Sequence, residues 1–297
     1  MLSARVAIGR SFSLASNANR SYLIAECIIA NNSYPITVPM PFTPVALPKN
    51  QQDLDQLTPT DWQTVIASTP HGAVQWMQHC AELGSANAQS ILGQWLLDGH
   101  GTERDAEKAF AWFLKAATQG YVIGMNMAGR CFENAWGTEA DPFVAANWYR
   151  QAAHKGLDAG MYNYANLLAA GKGVAQNHAH ALEWYRRAAD LGHAKSMTKI
   201  GHYYEDGVVV PKDTNAAFFA FGEGARGGDF RGQFNLAGML AERGQMDEAL
   251  AWLRKVPQNA TPRYRLQAGQ KLLRSAHPVF RTIGQQMLDS LPPDLND

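Results

Sequence analysis

From residue 73 to residue 256, small, apolar and polar positions return at one fixed interval. Leu92-Gly93, Gly99, Gly101, Lys108-Ala109, Trp112-Phe113, Ala116-Ala117 and Gly120 are matched 36 residues later by Ala128-Gly129, Ala135, Gly137, Val144-Ala145, Trp148-Tyr149, Ala152-Ala153 and Gly156. A third copy reads Tyr164-Ala165, Gly171, Gly173, His180-Ala181, Trp184-Tyr185, Ala188-Ala189 and Gly192. A period kept without insertion or deletion means that each copy is one supersecondary unit, buried by its neighbours in a helical solenoid.

The pattern inside a copy predicts a helix, a glycine loop and a second helix. First helices are expected over 88–98, 124–134, 160–170, 196–206 and 232–243, and second helices over 105–119, 142–155, 178–191, 214–227 and 247–256. Gly93, Gly129, Ala165, Gly201 and Ala237 form a column of tiny residues, as two helices need where they cross most closely. Trp112, Trp148 and Trp184 repeat at the same spacing and read as core between helices. Glycines at 99, 101, 137, 171, 173 and 207 permit the positive φ with which a chain leaves a helix abruptly. Asp105, Asp141, Asn177 and Asp213 stand where the second helix needs a cap. In the fourth copy Ala220 replaces the tryptophan, with Phe218, Phe219 and Phe221 expected to supply the lost volume, and Val208-Val209-Val210 replaces the usual glycine pair. The fifth copy is about four residues short between Gly244 and Glu248.

The expected organisation is therefore an all-α chain with one continuous array. Residues 1–59 form an N-terminal extension, partly disordered and proline-rich over 35–48, and 60–87 form a helical cap opened by Thr60 or Asp61. Five repeats follow at 88–123, 124–159, 160–195, 196–231 and 232–256, and 257–297 supply capping helices near 262–275 and 278–291. The proline-rich segment cannot be helical; it reads as a linker or as apolar residues lying along the array's own surface.

Composition changes this picture in three respects. The net charge is zero, but it is unevenly spread. Residues 50–103 hold six acids and no Lys or Arg, while residues 249–288 hold seven basic residues and no acid. This asymmetry predicts head-to-tail self-association through the two ends; the basic end is a weaker argument for nucleic acid. The three cysteines, Cys27, Cys80 and Cys131, show no Cys-x-x-Cys spacing and suit a reducing compartment. No apolar run reaches the length of a membrane span. A cytoplasmic location is expected, with a mitochondrial alternative carried by Arg5, Arg10, Arg20 and the serines of residues 1–20.

No catalytic, metal or cofactor constellation is present in the sequence. There is no His-Glu-x-x-His, nucleophile elbow or P-loop, and Gly222-x-Gly224-x-x-Gly227 lies inside a second helix with no strand before it. The candidate chemistry lies on first-helix positions that packing does not claim. One column is Gln94, Arg130, Asn166 and His202, which becomes Gly238 in the fifth copy; four residues earlier lies Ser90, Asn126, Tyr162, Thr198 and Phe234. Polar, planar and aromatic side chains together suit an extended peptide or partner helix in a groove.

The phrase Leu92-Gly93, Gly99-His100-Gly101, Asp105, Lys108-Ala109, Trp112-Phe113, Lys115-Ala116-Ala117, Gly120 resembles the Sel-1-like repeat, a relative of the tetratricopeptide repeat. The resemblance implies a right-handed superhelix of antiparallel helix pairs acting as a non-enzymatic adaptor or scaffold, with first helices lining a concave groove. One secreted branch staples its repeats with cysteine pairs and is linked to β-lactam binding. This sequence lacks those pairs, so a β-lactam-binding or hydrolytic enzyme is the alternative reading, beside a nucleic-acid adaptor.

Overall fold

In the second helix of the first, third and fourth repeats one aromatic ring is driven onto the first helix, and this contact sets the spacing of the pair. The computed structural model describes residues 45–292. The segment 1–20, Cys27 and residues 35–44 of the proline-rich stretch lie outside the described residues.

In chain order the helices are α1 Gln51–Asp55, α2 Pro59–Ile66, α3 Pro70–Glu82, α4 Ala86–Asp98, α5 Ala106–Thr118, α6 Val122–Asn134, α7 Pro142–His154 and α8 Asp158–Ala170. They continue as α9 His178–Asp190, α10 Ala194–Asp206, α11 Thr214–Arg226, α12 Phe230–Glu242, α13 Met246–Leu253, α14 Val256–Asn259, α15 Pro262–Leu273 and α16 Pro278–Asp289. No strand occurs among the described residues. The described residues form two compact units, divided between Trp148 and Tyr149. In the first, Ile91, Phe113 and Met127 sit in the apolar centre; in the second, Phe221, Leu253 and Met287 do so.

The tiny-residue column is buried as expected, but what it faces is not the tryptophan. Phe113, Tyr149, Tyr185 and Phe221, one residue further on, are at most 1% exposed, whereas of the three tryptophans Trp184 is buried and Trp112 and Trp148 are half-buried. A Cβ on Gly93 would lie 2.8 Å from the Phe113 ring, and one on Gly201 would lie 2.6 Å from that of Phe221. The fourth repeat therefore loses its tryptophan without losing its central ring. Phe219, expected to fill volume, points out and is 67% exposed. Burying one such ring stabilises by about 1.5–3 kcal/mol.

A second small column marks where each first helix crosses the preceding second helix. Added Cβ atoms on Gly124 and Gly160 would lie 2.7 Å from the Cβ of Ala116 and of Ala152, and one on Gly232 would lie 2.8 Å from the amide nitrogen of Ala225. These glycines were expected to open the first helices. The helices begin two residues earlier, because Ser85, Tyr121, Leu157, His193 and Asp229 take the extended conformation that precedes each first turn. Gly224 and Gly227, part of the apparent dinucleotide fingerprint, lie against α10 in the same way.

The caps follow the sequence closely. Asp105, Asn177 and Asp213 accept amide hydrogens from Lys108, His180 and Ala216 at 2.9 Å, and Asp141 does so from Val144 at 3.0 Å. At the N-terminal end the cap is Thr58, not Thr60 or Asp61. Pro59 takes the first helical position and Asp61 closes a reciprocal capping box with Thr58. Val45 packs against the first unit, and His79 Nε2 lies 2.6 Å from the Pro48 carbonyl oxygen. α1 and α14, both short, were not expected from the pattern.

The loop glycines adopt positive φ, and two positions do so without glycine: Ala135 at 56° and Val209 at 53°. Left-handed backbone costs a β-branched residue about 1–2 kcal/mol, and Val209 has little burial to offset it, being 54% exposed. Val209→Gly is therefore expected to stabilise the protein by about 1 kcal/mol. Gly201→Ala is expected to destabilise it by about 1–3 kcal/mol by overpacking against Phe221. Urea unfolding of the full chain checks both; a Val209→Gly midpoint at or below wild type would show that the strain is absent.

Candidate functional site

Repetition leaves the first helices with one stripe at i, i+4, i+7, i+11 that the core does not use. In the second unit it runs Lys195, Lys199, His202, Asp206 on α10 and Arg231, Asn235, Gly238, Glu242 on α12. The expected column of Gln94, Arg130, Asn166 and His202 belongs to this face, and each member is held by neighbours in its own unit. Gln94 Nε2 donates to Asp98 Oδ2 at 2.7 Å, and the Arg130 guanidinium lies 4.8 Å from the centre of the Trp136 ring. Asn166 Oδ1 accepts from the Tyr185 hydroxyl at 2.7 Å. His202 is tied on both nitrogens, to Glu205 Oε2 and to Asn235 Nδ2, each at 3.1 Å, with its ring edge-on to Phe221.

The neighbouring column does not line an open groove. Ser90, Asn126, Thr198 and Phe234 are buried. Thr198 shows why: its Oγ1 lies where a Cβ on Gly232 would approach to 2.7 Å, so the residue is wedged between successive helices. Four residues are 400° of helical rotation, and the 40° excess turns this column from solvent into the inter-repeat seam. Tyr162 alone of the five is half-buried, its ring 4.9 Å from that of His193.

Where the polar column reaches Gly238 the side chain is missing and a cleft of ≈ 420 Å³ opens. A Cβ on Gly238 would meet nothing within 4 Å. Ala217, Phe234, Met239, Leu253, Leu272 and Phe280 form its apolar wall; Glu205, Lys212, Asn235, Glu242 and Lys271 form its polar lip. The Lys271 ammonium lies 5.3 Å from the centre of the Phe234 ring. α15 flanks α12 here as a further first helix would, through Tyr264 against Phe230 and Phe234. The break in the column at Gly238 was visible in the sequence, but the cleft also needs α15, which lies outside the repeat. A smaller cleft of ≈ 350 Å³ lies between α11 and the shortened α13, beside Phe219 and Trp252.

Electrostatics around the stripe are shaped by burial. Burial, and then the like charge of Arg231, holds Lys199 below the ordinary lysine range, with Asp229 opposing both. Arg231 stacks on Phe230 and Tyr264 at 4.5 and 5.3 Å. Burial pushes the thiols of Cys80 and Cys131 up to about 12, which makes both poor nucleophiles. Among the described residues no cluster of His, Cys, Asp or Glu could hold a metal. The basic C-terminal residues are partly spent on their own helices: Arg265 reaches the Ser290 carbonyl at 3.2 Å, and Arg281 those of Ser275 and Ala276 at 2.8 and 3.0 Å.

The Sel1 repeat model matches residues 86–121, 122–157, 158–193 and 194–229. Residues 86–229 are four consecutive Sel1 repeats. The matched register starts at the observed first helices, two residues before the boundaries read from the sequence, and α12–α13 lie beyond it. Among solved structures, the Sel1 repeat protein of Oxalobacter formigenes is similar at 24% identity and a TM-score of 0.66, over 77% of this chain and 97% of that one. The protective antigen c5321 of uropathogenic Escherichia coli, which displays the same repeat fold, is similar at 20% identity and 0.56, over 92% of this chain and 60% of that one. No curated protein matches the sequence. Sel1 repeat solenoids are in general protein-interaction scaffolds, and no helix among the described residues is long and apolar enough to cross a membrane.

One residue beside the Sel1 stripe has a proton affinity lowered by burial. His193 caps α10 through Nδ1, which accepts the Ser196 amide hydrogen at 3.3 Å and lies 2.9 Å from Ser196 Oγ. Burial lowers its pKa, with Lys195 acting in the same direction and Asp158 and Asp229 opposing. The folded state thus binds fewer protons than the unfolded chain, whose histidine titrates near ~6.5. Its contribution to stability is present above that value and lost as pH falls through it towards the lower folded pKa. His193→Ser keeps a capping oxygen, as Ser85 does in α4. Unfolding followed from pH 7.5 to 5.5 should show a shallower loss of stability in that variant; equal slopes would remove His193 as the cause.

Proposed function

We propose that the protein is a non-enzymatic adaptor whose Sel1 array holds a peptide segment or partner helix on the first-helix face. The observation that carries this reading is the cleft at Gly238. There the polar stripe gives way to an apolar wall lipped by charged and amide groups, the composition of a site that takes a side chain from another polypeptide. The stripe approaching it carries the amides of Asn166 and Asn235, each bonded locally through one of its two polar atoms, so the Asn166 Nδ2 and the Asn235 Oδ1 face a peptide backbone along the way. Cys80 and Cys131 are unpaired and buried, so they do not form the staples that mark the cysteine-rich, β-lactam-linked branch.

Gly238→Trp separates binding from folding. The position is an exposed helical glycine with open space at Cβ, so replacing it gains about 0.5–1 kcal/mol of helix propensity while the indole fills the cleft. Partners cross-linked to the wild-type chain are expected to be lost with Gly238→Trp at an unchanged or higher Tm. Recovery of the same partners with both proteins would remove the cleft as the binding site.

A further inference from the structure

The cleft stripe carries its charges against its own helix dipoles. A helix favours acids in its first turn and bases in its last. On α10 the second residue is Lys195 and the last two are Glu205 and Asp206; on α12 the second residue is Arg231 and the last is Glu242. Among the described residues, Lys195, Lys199, Arg231 and Glu242 make no ion pair within 4 Å. Side chains and dipoles therefore add on the two first helices. Lys195, Lys199 and Arg231 stand at their N-terminal halves, with the capping Asp229 as the opposing charge. Glu205, Asp206 and Glu242 stand at their C-terminal ends, with Lys212 and Lys271 on the facing lip of the cleft. Local helix stability opposes this arrangement, and among the described residues the ion pair on this face is the contact of Glu205 with His202.

We propose that this face recognises a zwitterionic peptide segment of a partner protein, with an acidic residue, a bulky apolar residue and a basic residue in spatial order. The proposal rests on the groove reading above and names its ligand. The apolar side chain enters the cleft at Gly238, the acid meets Lys199 and Arg231, and the base meets Glu205 and Glu242. The spacing is set by α12. Arg231 precedes Gly238 by about 10 Å of helix and Glu242 follows it by about 6 Å, at about 1.5 Å per residue. An extended segment covers about 3.3 Å per residue, so the acid stands about three residues from the apolar anchor and the base about two on its other side. Asn235, held by His202 at 3.1 Å, lies between the acid and anchor subsites, where a peptide backbone passes.

The test uses the full chain and four fluorescein-labelled peptides that share a central Phe and differ in their charged positions: acid and base at the stated spacing, two acids, two bases, or two serines. Anisotropy at low salt is expected to give the zwitterionic peptide at least tenfold tighter binding than the other three, with the advantage shrinking at high salt as the charges are screened. In Glu205→Lys/Glu242→Lys both ends of the face become basic and the helix C-termini gain cations. That variant should keep its Tm or raise it, and its preference should move to the two-acid peptide. Equal binding of all four peptides, no binding of any, or an unmoved preference in the double variant overturns the proposal. Gly238→Trp distinguishes the levels: if it weakens every peptide alike while charge order has no effect, the groove reading stands and the charge reading falls. If it weakens none, the groove reading falls as well.

Discussion

The rest of the array depends on one contact, an aromatic ring laid over a residue with little or no side chain. Phe113 over Gly93 and Phe221 over Gly201 bring the two helices of a repeat close enough for alanines beside the ring, such as Ala116 and Ala225, to meet the next first helix across Gly124 and Gly232. Each contact requires the other: a larger residue under the ring would move the second helix outward and open the seam to the following repeat. This interlock accounts for the unchanged spacing of 20 residues from the small residue to the ring in the first four repeats.

Such an array leaves few positions free. Once the ring, the two small columns and the caps are assigned, a first helix has one solvent-facing stripe, and even that is largely occupied by local contacts, as Asn166 with Tyr185 and His202 with Asn235 show. Binding capacity then arises where regularity fails. Gly238 withholds a side chain, α13 is shortened, and α15 arrives from outside the repeat to form the far wall of the cleft. The same drift that weakens the motif in the fourth and fifth copies produces the two clefts of the second unit.

Much of the fold was legible because its determinants are local. Helix lengths, loop glycines and caps follow from hydrogen-bonding groups within a few residues of one another, and so Asp105, Asn177 and Asp213 were readable as caps. The helix starts were misplaced by two residues because Gly124, Gly160 and Gly232 resemble turn residues, when their smallness serves packing inside the helix. The tryptophan was taken for the core ring because it is the larger and more distinctive residue; Trp184 is indeed buried, but Trp112 is half-buried under Lys115, and the ring one residue further on carries the crossing.

The candidate site was less legible, for a geometric reason. Two columns four residues apart differ by only 40° around a helix, and the sequence cannot say which of them the next repeat will cover. It was the position of neighbouring helices that buried Asn126, Thr198 and Phe234 and left His202 and Gly238 facing out. The sequence by itself determined the period, the helix pairs, their caps and the polar column with its break at Gly238, since all of these are written in residues close together in the chain. Only the tertiary structure decided that the break is a cleft, because its walls come from α11, α12, α13, α15 and α16, brought together by packing that no single stretch encodes.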